Sequence, residues 1–277
     1  MNGQIQPEER ATCYYVDVTI SNQPLLEILS EYPKKFIMFH APRGSGKSTR
    51  VIALMEQLNK MDYVCLYATI QSIDVDHTNI NQFWHEFGRE LSITNWAERN
   101  AVNLNTTNDV TDWLSIDNKE FFGSDKVILI VDDFDKLYSA PTTLRDEILG
   151  VLRALKPQCG TTSCLWGFIA VGPCSILKLT QQSASPFNIS DAFLAQSFTE
   201  EQVINLFGEF FKDKFLGNWD QRIAEDIYER TSGHAGLVCF CGKQIQQQIE
   251  RGEIEFTTYD RWIEFAAKEL PLTLQTQ

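Results

Sequence analysis

The sequence predicts an α/β fold in which a parallel sheet, covered by helices on both faces, precedes a small all-helical lid domain. In the first part of the chain, continuous apolar segments alternate with helical patterns. Continuous apolar strands that alternate with helices are typical of a parallel sheet buried on both faces. From about residue 190 the strand signals stop and only helical patterns follow. We therefore expect an N-terminal arm at 1–30, a core domain at 31–190 and a helical lid domain at 191–277.

Each predicted strand is a run of apolar, β-branched or aromatic residues that ends at a polar or glycine-containing segment. In chain order the runs are KFIMFHA at 35–41, DYVCLYATI at 62–70, KVILIVDDFD at 126–135 and CLWGFIAVG at 164–172. Apolar residues at helical spacing follow each of the first three runs. Residues 94–125 are polar and mixed, and we expect only short helical pieces there.

The tail is expected to be helical throughout. Thr199 followed by Gln202 resembles a capping box, which opens a helix with apolar residues on one face. Further helices are expected at about 220–231, 235–250 and 257–269. A helical lid that packs on its own core explains the aromatic residues of these helices better than an oligomer interface does.

Composition and charge exclude several classes of function. The 277 residues are 43% hydrophobic and carry a formal net charge of −13, so general binding along nucleic acid is not expected. Seven cysteines without a Cys-x-x-Cys pair argue for reduced thiols rather than a disulfide scaffold or a zinc site. The polar N-terminus has no signal-peptide pattern, and no apolar run approaches the ~20 residues of a membrane helix. We expect an intracellular, soluble, cytoplasmic protein.

A glycine- and serine-containing turn follows the first predicted strand and opens a helical pattern. It reads APRGSGKS at 41–48 and matches the phosphate-binding pattern G-x-x-x-x-G-K-[ST] except at its first position, where Ala41 stands. A chance turn before a helix is the alternative, but a buried strand before the turn and an amphipathic helix after it are the context that the motif requires. The residues expected to hold the nucleotide are Pro42, Arg43, Gly44, Ser45, Gly46, Lys47, Ser48 and Thr49.

The roles of these residues follow from the chemistry of phosphate. Gly44 and Gly46 let the backbone bend tightly, so that consecutive N–H groups converge on the phosphate oxygens. The helix that begins near Gly46 directs the positive end of its dipole at the anion. Lys47 adds a positive charge for the β and γ phosphates, and the Ser48 hydroxyl is placed to ligate Mg²⁺.

A magnesium–nucleotide site also needs an acid at the end of a neighbouring buried strand. The run VILIVDDFD supplies Asp132 and Asp133 directly after five apolar residues. We expect Asp132 to hold the magnesium through water, and Asp133 to polarise the attacking water as the catalytic base. Asp135 is expected to be a loop or cap residue. The alternative is that these acids simply terminate a strand.

These motifs resemble those of P-loop ATPases of the AAA+ and STAND type, including the archaeal-type STAND ATPases. The resemblance covers roughly residues 30–250 and rests on APRGSGKST, VILIVDDFD, LWGFIAVG and the later IYERTSGHAGLVCFCG. It implies a P-loop NTPase core with a helical lid, ATP and Mg²⁺ as cofactors, and ATP hydrolysis with Lys47 and Asp133 as catalytic residues. More narrowly, FHAPRGSGKSTR and NINQFWHEFGREL are similar to the ATPase module of Crinkler-type effector proteins. That resemblance implies action in a host cell or its nucleus.

The chain departs from the AAA+ pattern at the sensor positions. The fourth strand ends in Gly-Pro-Cys-Ser, so that Ser175 is the only polar candidate for the first sensor, and a poor one. The lid turn carries His234, which either reaches the phosphates, as a lid histidine does in some STAND proteins, or packs as an ordinary histidine. Arg230 is expected to be a solvated helix-end residue. Arg153 is the position to test as an arginine finger.

Two functions remain open on the residues alone. The first is an ATPase whose lid reports the nucleotide state, and Asp133 favours it. The second is a nucleotide-dependent regulatory switch or interaction module with little or no hydrolysis, which the imperfect sensors favour. A small-molecule kinase would need an acceptor site and an arginine-rich lid, and a GTPase would need a base-reading element of the NKxD type. The expected partners are ATP or ADP and an unknown protein or a second copy of the chain.

Overall fold

A computed structural model describes most of the chain and divides it into two compact units. The described residues are 5–93, 102–188, 191–215, 219–252 and 257–268. One unit, here called the sheet unit, consists of Val18–Arg43 and Lys47–Ala195. The other, here called the helical unit, consists of the residues up to Asp17, Gly44–Gly46 and the residues from Gln196 onward. The domain boundaries predicted from the sequence stay a prediction.

The sheet unit contains five parallel strands, and the predicted parallel α/β fold is confirmed. The strands are β1 (Lys35–His40), β2 (Val64–Thr69), β3 (Val127–Asp132), β4 (Leu165–Gly172) and β5 (Ala192–Leu194). Their order across the sheet is β2-β3-β4-β1-β5, so β4 lies between the strand that precedes the glycine turn and the strand that ends in acids. The sequence did not predict β5, because a three-residue edge strand is too short to show a pattern.

Helices cover both faces of this sheet. They are α1 (Thr19–Glu31), α2 (Lys47–Asn59), α3 (Ile80–Ile93), α4 (Thr107–Trp113), α5 (Lys119–Phe122) and α6 (Thr142–Leu155). Apolar side chains of α1 and α2 pack on one face, and those of α3, α4 and α6 pack on the other. Strand β3 serves both layers, since Ile128 and Ile130 face α1 and α2 whereas Leu129 and Val131 face the opposite side. The last residue of β3, Asp132, falls on the α2 side by the same alternation.

The segment predicted to be polar chain with short helical pieces is only partly described. Helices α4 and α5 are the short helical pieces in 102–125, and residues 94–101 lie outside the described part. Thr106 caps α4 by accepting a hydrogen bond from the Asp109 N–H at 3.3 Å. The Asp109 carboxylate in turn accepts the Thr106 N–H at 2.9 Å, which completes a capping box.

Helix α1 belongs to the sheet unit, although the sequence predicted an N-terminal arm at 1–30. Its side chains Leu25 and Leu29 are fully buried in the layer that covers one face of the sheet. A buried polar cluster joins α1 to the first turns of α2. The Arg50 guanidinium donates to the Ser21 carbonyl at 2.8 Å and to Asn22 Oδ1 at 3.3 Å, and Asn22 Nδ2 donates to the Arg50 carbonyl at 3.1 Å.

In the part of the chain that the structure describes, the helical unit contains four α-helices. These are α7 (Glu200–Phe215), α8 (Arg222–Thr231), α9 (Ala235–Glu250) and α10 (Tyr259–Lys268), and they confirm the helical C-terminal region. Strand β5 lies at 192–194, where only helical structure was predicted, and residue 269, the predicted end of the last helix, lies outside the described residues. The predicted capping box before α7 is present, since the Gln202 N–H donates to Thr199 Oγ1 at 3.2 Å and the Thr199 N–H donates to Gln202 Oε1 at 2.9 Å. The N-terminal residues join this unit through the Tyr14 hydroxyl, which donates to Asp213 Oδ2 at 2.6 Å.

In the residues that the structure describes, none of the helices has the length and apolar character required to cross a bilayer.

Asn22→Leu is expected to lower the free energy of unfolding by about 1–3 kcal/mol, because the buried Arg50 side chain loses a hydrogen-bond acceptor. Asn81→Leu, at an exposed position of α3, is the matched control and should change it by less than about 0.5 kcal/mol. Urea denaturation followed by circular dichroism measures both. Equal midpoints for the two variants would show that the Asn22–Arg50 cluster adds no stability.

Candidate functional site

The glycine turn between β1 and α2 has the backbone conformation of an anion-binding loop. Gly44 and Gly46 have φ angles of +71° and +80°, a region that glycine adopts without strain. Helix α2 then begins at Lys47, so the N–H groups of its first turn lie directly after the glycines. Ala41, the one departure from the sequence motif, is fully buried with the apolar side chains between the sheet and α2. An alanine methyl at this position therefore packs in the core.

Lys47 lies over the turn that precedes it. Its ammonium group donates to the Pro42 carbonyl at 2.9 Å and to the Ala41 carbonyl at 3.3 Å. Burial lowers the pKa of Lys47, and the nearby carboxylates of Asp132 and Asp133 oppose that effect. Of the other loop residues, Pro42, Arg43 and Gly44 are exposed, whereas Ser45, Gly46, Ser48 and Thr49 are half-buried.

The structure brings together Ser48 and Asp132, which are far apart in the sequence. The Ser48 hydroxyl donates to Asp132 Oδ2 at 2.6 Å. This contact joins the first turn of α2 to the end of β3, because the side chain of Asp132 falls on the α2 side of the sheet. The two residues predicted to hold the metal are therefore adjacent, together with Lys47 of the same helical turn.

Asp132 has two further hydrogen-bond donors. The Tyr67 hydroxyl of β2 donates to the same oxygen, Oδ2, at 3.1 Å, and the Asp133 N–H donates to Oδ1 at 2.8 Å. Burial and the charge of Asp132 raise the pKa of Tyr67, so the phenol stays protonated and acts as a donor. Sequence reasoning missed Tyr67. Its signal was the two-residue alternation of β2, which places Tyr67 opposite Ile130, on the face that Asp132 shares.

Asp133 is directed to a different neighbour. Its φ angle of +53° lies in the left-handed region, where aspartate is one of the more tolerated residues. The Thr69 hydroxyl, at the end of β2, donates to Asp133 Oδ2 at 3.2 Å. Burial raises the pKa of Asp133, the adjacent charge of Asp132 raises it further, and the Thr69 hydrogen bond opposes both. A carboxylate with a raised pKa is the better proton acceptor, as a catalytic base requires.

Ser175, the candidate for the first sensor, lies beside Asp135. Its hydroxyl donates to Asp135 Oδ2 at 3.2 Å, and Asp135 belongs to a 3-10 helix at Phe134–Tyr138 that follows β3. A Cβ atom at Gly172, the last residue of β4, would lie 3.1 Å from Asp135 Oδ1. The end of β4 is thus occupied by contacts with Asp135.

His234 caps helix α9 within the helical unit. Its Nδ1 accepts a hydrogen bond from the Leu237 N–H at 3.4 Å. Gly44 belongs to the same unit, and a Cβ atom on Gly44 would lie 3.6 Å from the His234 Cε1 atom. The approach is close at Gly236 as well, where a Cβ atom would stand 2.7 Å from the Gly44 carbonyl oxygen. Helix α9 therefore begins against the glycine turn.

The two candidate arginines have contacts of their own. Arg230 pairs with Asp226 at 2.6 Å across one turn of α8. Arg153 on α6 donates to the Ser183 carbonyl at 2.6 Å. Both side chains are exposed. A role for Arg153 as an arginine finger stays a prediction.

The donor atoms at the end of β3 suit a magnesium ion shared with a phosphate. Asp132 and Ser48 offer a carboxylate oxygen and a hydroxyl oxygen, which are the hard ligands that Mg²⁺ prefers, and magnesium commonly takes only one or two protein ligands beside phosphate and water. Across the described ranges no cluster of three or more His, Cys, Asp or Glu side chains could hold a metal by itself. The residues therefore fit a metal that arrives with a nucleotide.

Comparisons with known proteins agree with this geometry. The family model that matches, over residues 4–255, is described as an AAA-like domain. The Walker-type ATPase of Pyrococcus abyssi has a TM-score of 0.64 at 17% identity, over 100% of this chain and 78% of that one. The ORC2 protein of Aeropyrum pernix has a TM-score of 0.56 at 12% identity, over 91% of this chain and 66% of that one. At these identities the similarity concerns the fold alone, and it confirms the predicted P-loop NTPase fold. A search of curated proteins found no match.

Asp133→Asn is expected to raise the melting temperature at neutral pH, because the buried carboxylate beside Asp132 is costly to ionise. A pKa raised in the folded state means that protonation stabilises the fold. The advantage of the variant should therefore shrink as the pH falls through the pKa of Asp133 and the wild-type side chain becomes neutral. Thermal unfolding of both proteins from neutral to mildly acidic pH measures this.

Asp76→Asn, at an exposed position after β2, is the control and should leave the melting temperature within about 2 °C of the wild type at each pH. A gain for Asp133→Asn that is constant with pH would contradict the assigned cause.

Proposed function

This chain belongs to the AAA-like domain family, and on that premise we propose that it binds ATP with Mg²⁺ and hydrolyses it slowly to ADP and phosphate. The observation that carries the proposal is the 2.6 Å hydrogen bond between the Ser48 hydroxyl and the Asp132 carboxylate. Ser48 lies in the same helical turn as Lys47. This arrangement places a hydroxyl, a carboxylate and an ammonium group at the start of a helix that follows a positive-φ glycine turn. This is the set of groups that a magnesium-bound triphosphate needs.

Binding of the phosphates would use the backbone first. The turn around Gly44 and Gly46 and the N–H groups of the first turn of α2 would supply donors to the phosphate oxygens. Lys47 would exchange its present acceptors, the carbonyls of Ala41 and Pro42, for oxygens of the β and γ phosphates. Such an exchange replaces neutral acceptors by negatively charged ones, so that the ammonium group gains the Coulombic attraction of the phosphates.

Ser48 and Asp132 would hold the magnesium ion, which when bound neutralises phosphate charge. For hydrolysis, Asp133 would accept a proton from water as the water oxygen forms a bond to the γ-phosphorus. The bond between that phosphorus and the bridging oxygen then breaks, and the bond's electron pair leaves with ADP. Lys47 would stabilise the charge that develops on the transferred phosphoryl group. The raised pKa of Asp133 supports its role as the base.

Coupling to the lid would run through His234. Gly44 and His234 lie close together in the helical unit, so phosphate bound at the turn would be near the N-terminus of α9. We propose that His234 contacts the phosphates and reports the nucleotide state to this unit. Assignment to the STAND group and the Crinkler-type resemblance, with its host-cell or nuclear site of action, stay predictions.

A nucleotide-dependent switch with little hydrolysis is the second candidate. Asp133 accepts a hydrogen bond from Thr69, and Ser175 is engaged with Asp135. If Asp133 must first lose its hydrogen bond from Thr69, hydrolysis would be slow or would require a partner.

The ORC1 protein of Aeropyrum pernix is described in complex with DNA. For this chain, the net charge of −13 argues against general nucleic-acid binding.

The ATPase and the switch would both bind nucleotide, but only the ATPase would release phosphate at an appreciable rate. We expect the wild type to release phosphate from ATP with magnesium, and Asp133→Asn to bind ATP equally well while its rate falls about 100-fold or more. Lys47→Ala should lose most of its ATP affinity, whereas Lys60→Ala, at an exposed position just beyond α2, should behave as the wild type. A phosphate-release assay and a calorimetric binding titration measure these quantities.

If the wild type and Asp133→Asn both bind ATP and neither releases phosphate, the result would favour the switch. Binding at background level by the wild type would overturn the proposed function altogether.

A further inference from the structure

Tyr67 stands beside the proposed metal site without being one of the motif residues. It is the third residue from the end of β2, two positions before Thr69, and its ring packs half-buried among the apolar side chains between the sheet and α2. Its hydroxyl reaches Asp132 Oδ2 at 3.1 Å. Strand β2 is hydrogen-bonded to β3 over its whole length, with Tyr67 opposite Ile130. The register of the sheet therefore fixes the backbone position from which the ring extends towards Asp132.

The hydrogen bonds of Asp132 are divided unequally between its oxygens. Oδ2 accepts both the Ser48 and the Tyr67 hydroxyls, whereas Oδ1 accepts the Asp133 N–H. A carboxylate has about four acceptor sites, so these three donors set the plane of the group and leave it able to accept one more. With the carboxylate itself buried, its orientation is determined by these partners.

The two hydroxyl donors on Oδ2 differ in rigidity. Rotation about the Cα–Cβ bond can move the Ser48 hydroxyl oxygen to another rotamer, and in the proposed function the same hydroxyl also faces a metal ion. The Tyr67 hydroxyl is carried on a ring that packs against the neighbouring apolar side chains. It is not one of the proposed metal ligands. The phenol O–H donates to the carboxylate, which when ionised can only accept.

We propose that Tyr67 is a positioning residue, which holds the Asp132 carboxylate in the orientation that receives magnesium. This inference rests on the proposed function. The mutation of a residue that orients a metal ligand commonly costs 10–100-fold in metal affinity. Tyr67 should thus affect the contribution of magnesium to nucleotide binding and leave binding of the metal-free nucleotide unchanged.

The test compares Tyr67→Phe with the wild type by titrating a fluorescent ATP analogue in magnesium and in EDTA. The ratio of the two affinities measures the coupling between metal and nucleotide. We expect this ratio to fall about 10-fold in Tyr67→Phe, with the affinity in EDTA unchanged. The control is Tyr63→Phe, which removes the hydroxyl of a buried tyrosine just before β2 whose ring contacts Trp166. Its ratio should equal that of the wild type.

A second measurement shows whether Tyr67 acts through Asp132. In an Asp132→Asn background, adding Tyr67→Phe should leave the ratio unchanged, since the group to be oriented has already been altered. An additional loss in the double variant would overturn the inference. Thermal unfolding of every variant confirms that it is folded.

The remaining outcomes separate the inference from the proposed function. A wild-type ratio in Tyr67→Phe overturns the inference and leaves ATP binding intact. Equal weakening with and without magnesium shows that Tyr67 supports the fold only, which also overturns it. If the wild type itself binds no ATP analogue under either condition, the proposed function fails and the inference falls with it.

Discussion

The hydrogen bond between Ser48 and Asp132 is the contact on which the rest of the site depends. It exists because β4 lies between β1 and β3, so the helix that follows β1 reaches the end of β3 across one intervening strand. The alternation of β3 sends Asp132 to the side of α2, together with Ile128 and Ile130. A shift of one residue in the register of β3 would turn Asp132 to the opposite face and separate it from Ser48.

Strand β2 completes the site although it carries none of the recognised motif. Two of its hydroxyls each contact one acid, Tyr67 on Asp132 and Thr69 on Asp133. These partners are one cause of the difference between the adjacent carboxylates. Asp132 accepts several donors, whereas Asp133 turns away in a left-handed conformation with a raised pKa. Two neighbouring aspartates thereby acquire different environments, which agree with the two proposed roles of metal ligand and base.

The glycines of the turn belong to the helical unit. Gly44–Gly46 group with the residues from Gln196 onward, because α9 begins beside the turn and Gly236 approaches the Gly44 carbonyl closely. Glycine at 44 and 46 is required by the positive φ angles, while at 236 it is required by the space available. The close approach of α9 to Gly44 thus depends on these small residues.

The sequence by itself determined the alternation of strands and helices, the helical tail and the residues of the glycine turn and of the acidic strand end. These features are local, since each depends on spacing along a few residues. It did not reveal β5, the place of α1 in the core, or the partnership of Tyr67 and Thr69 with the acids. Those depend on which strands are neighbours and in which register, and a single strand carries no record of its neighbour. The tertiary structure alone decided that Ser48 and Tyr67 would meet on one oxygen of Asp132, because sheet order and side-chain alternation bring three separate segments to one point.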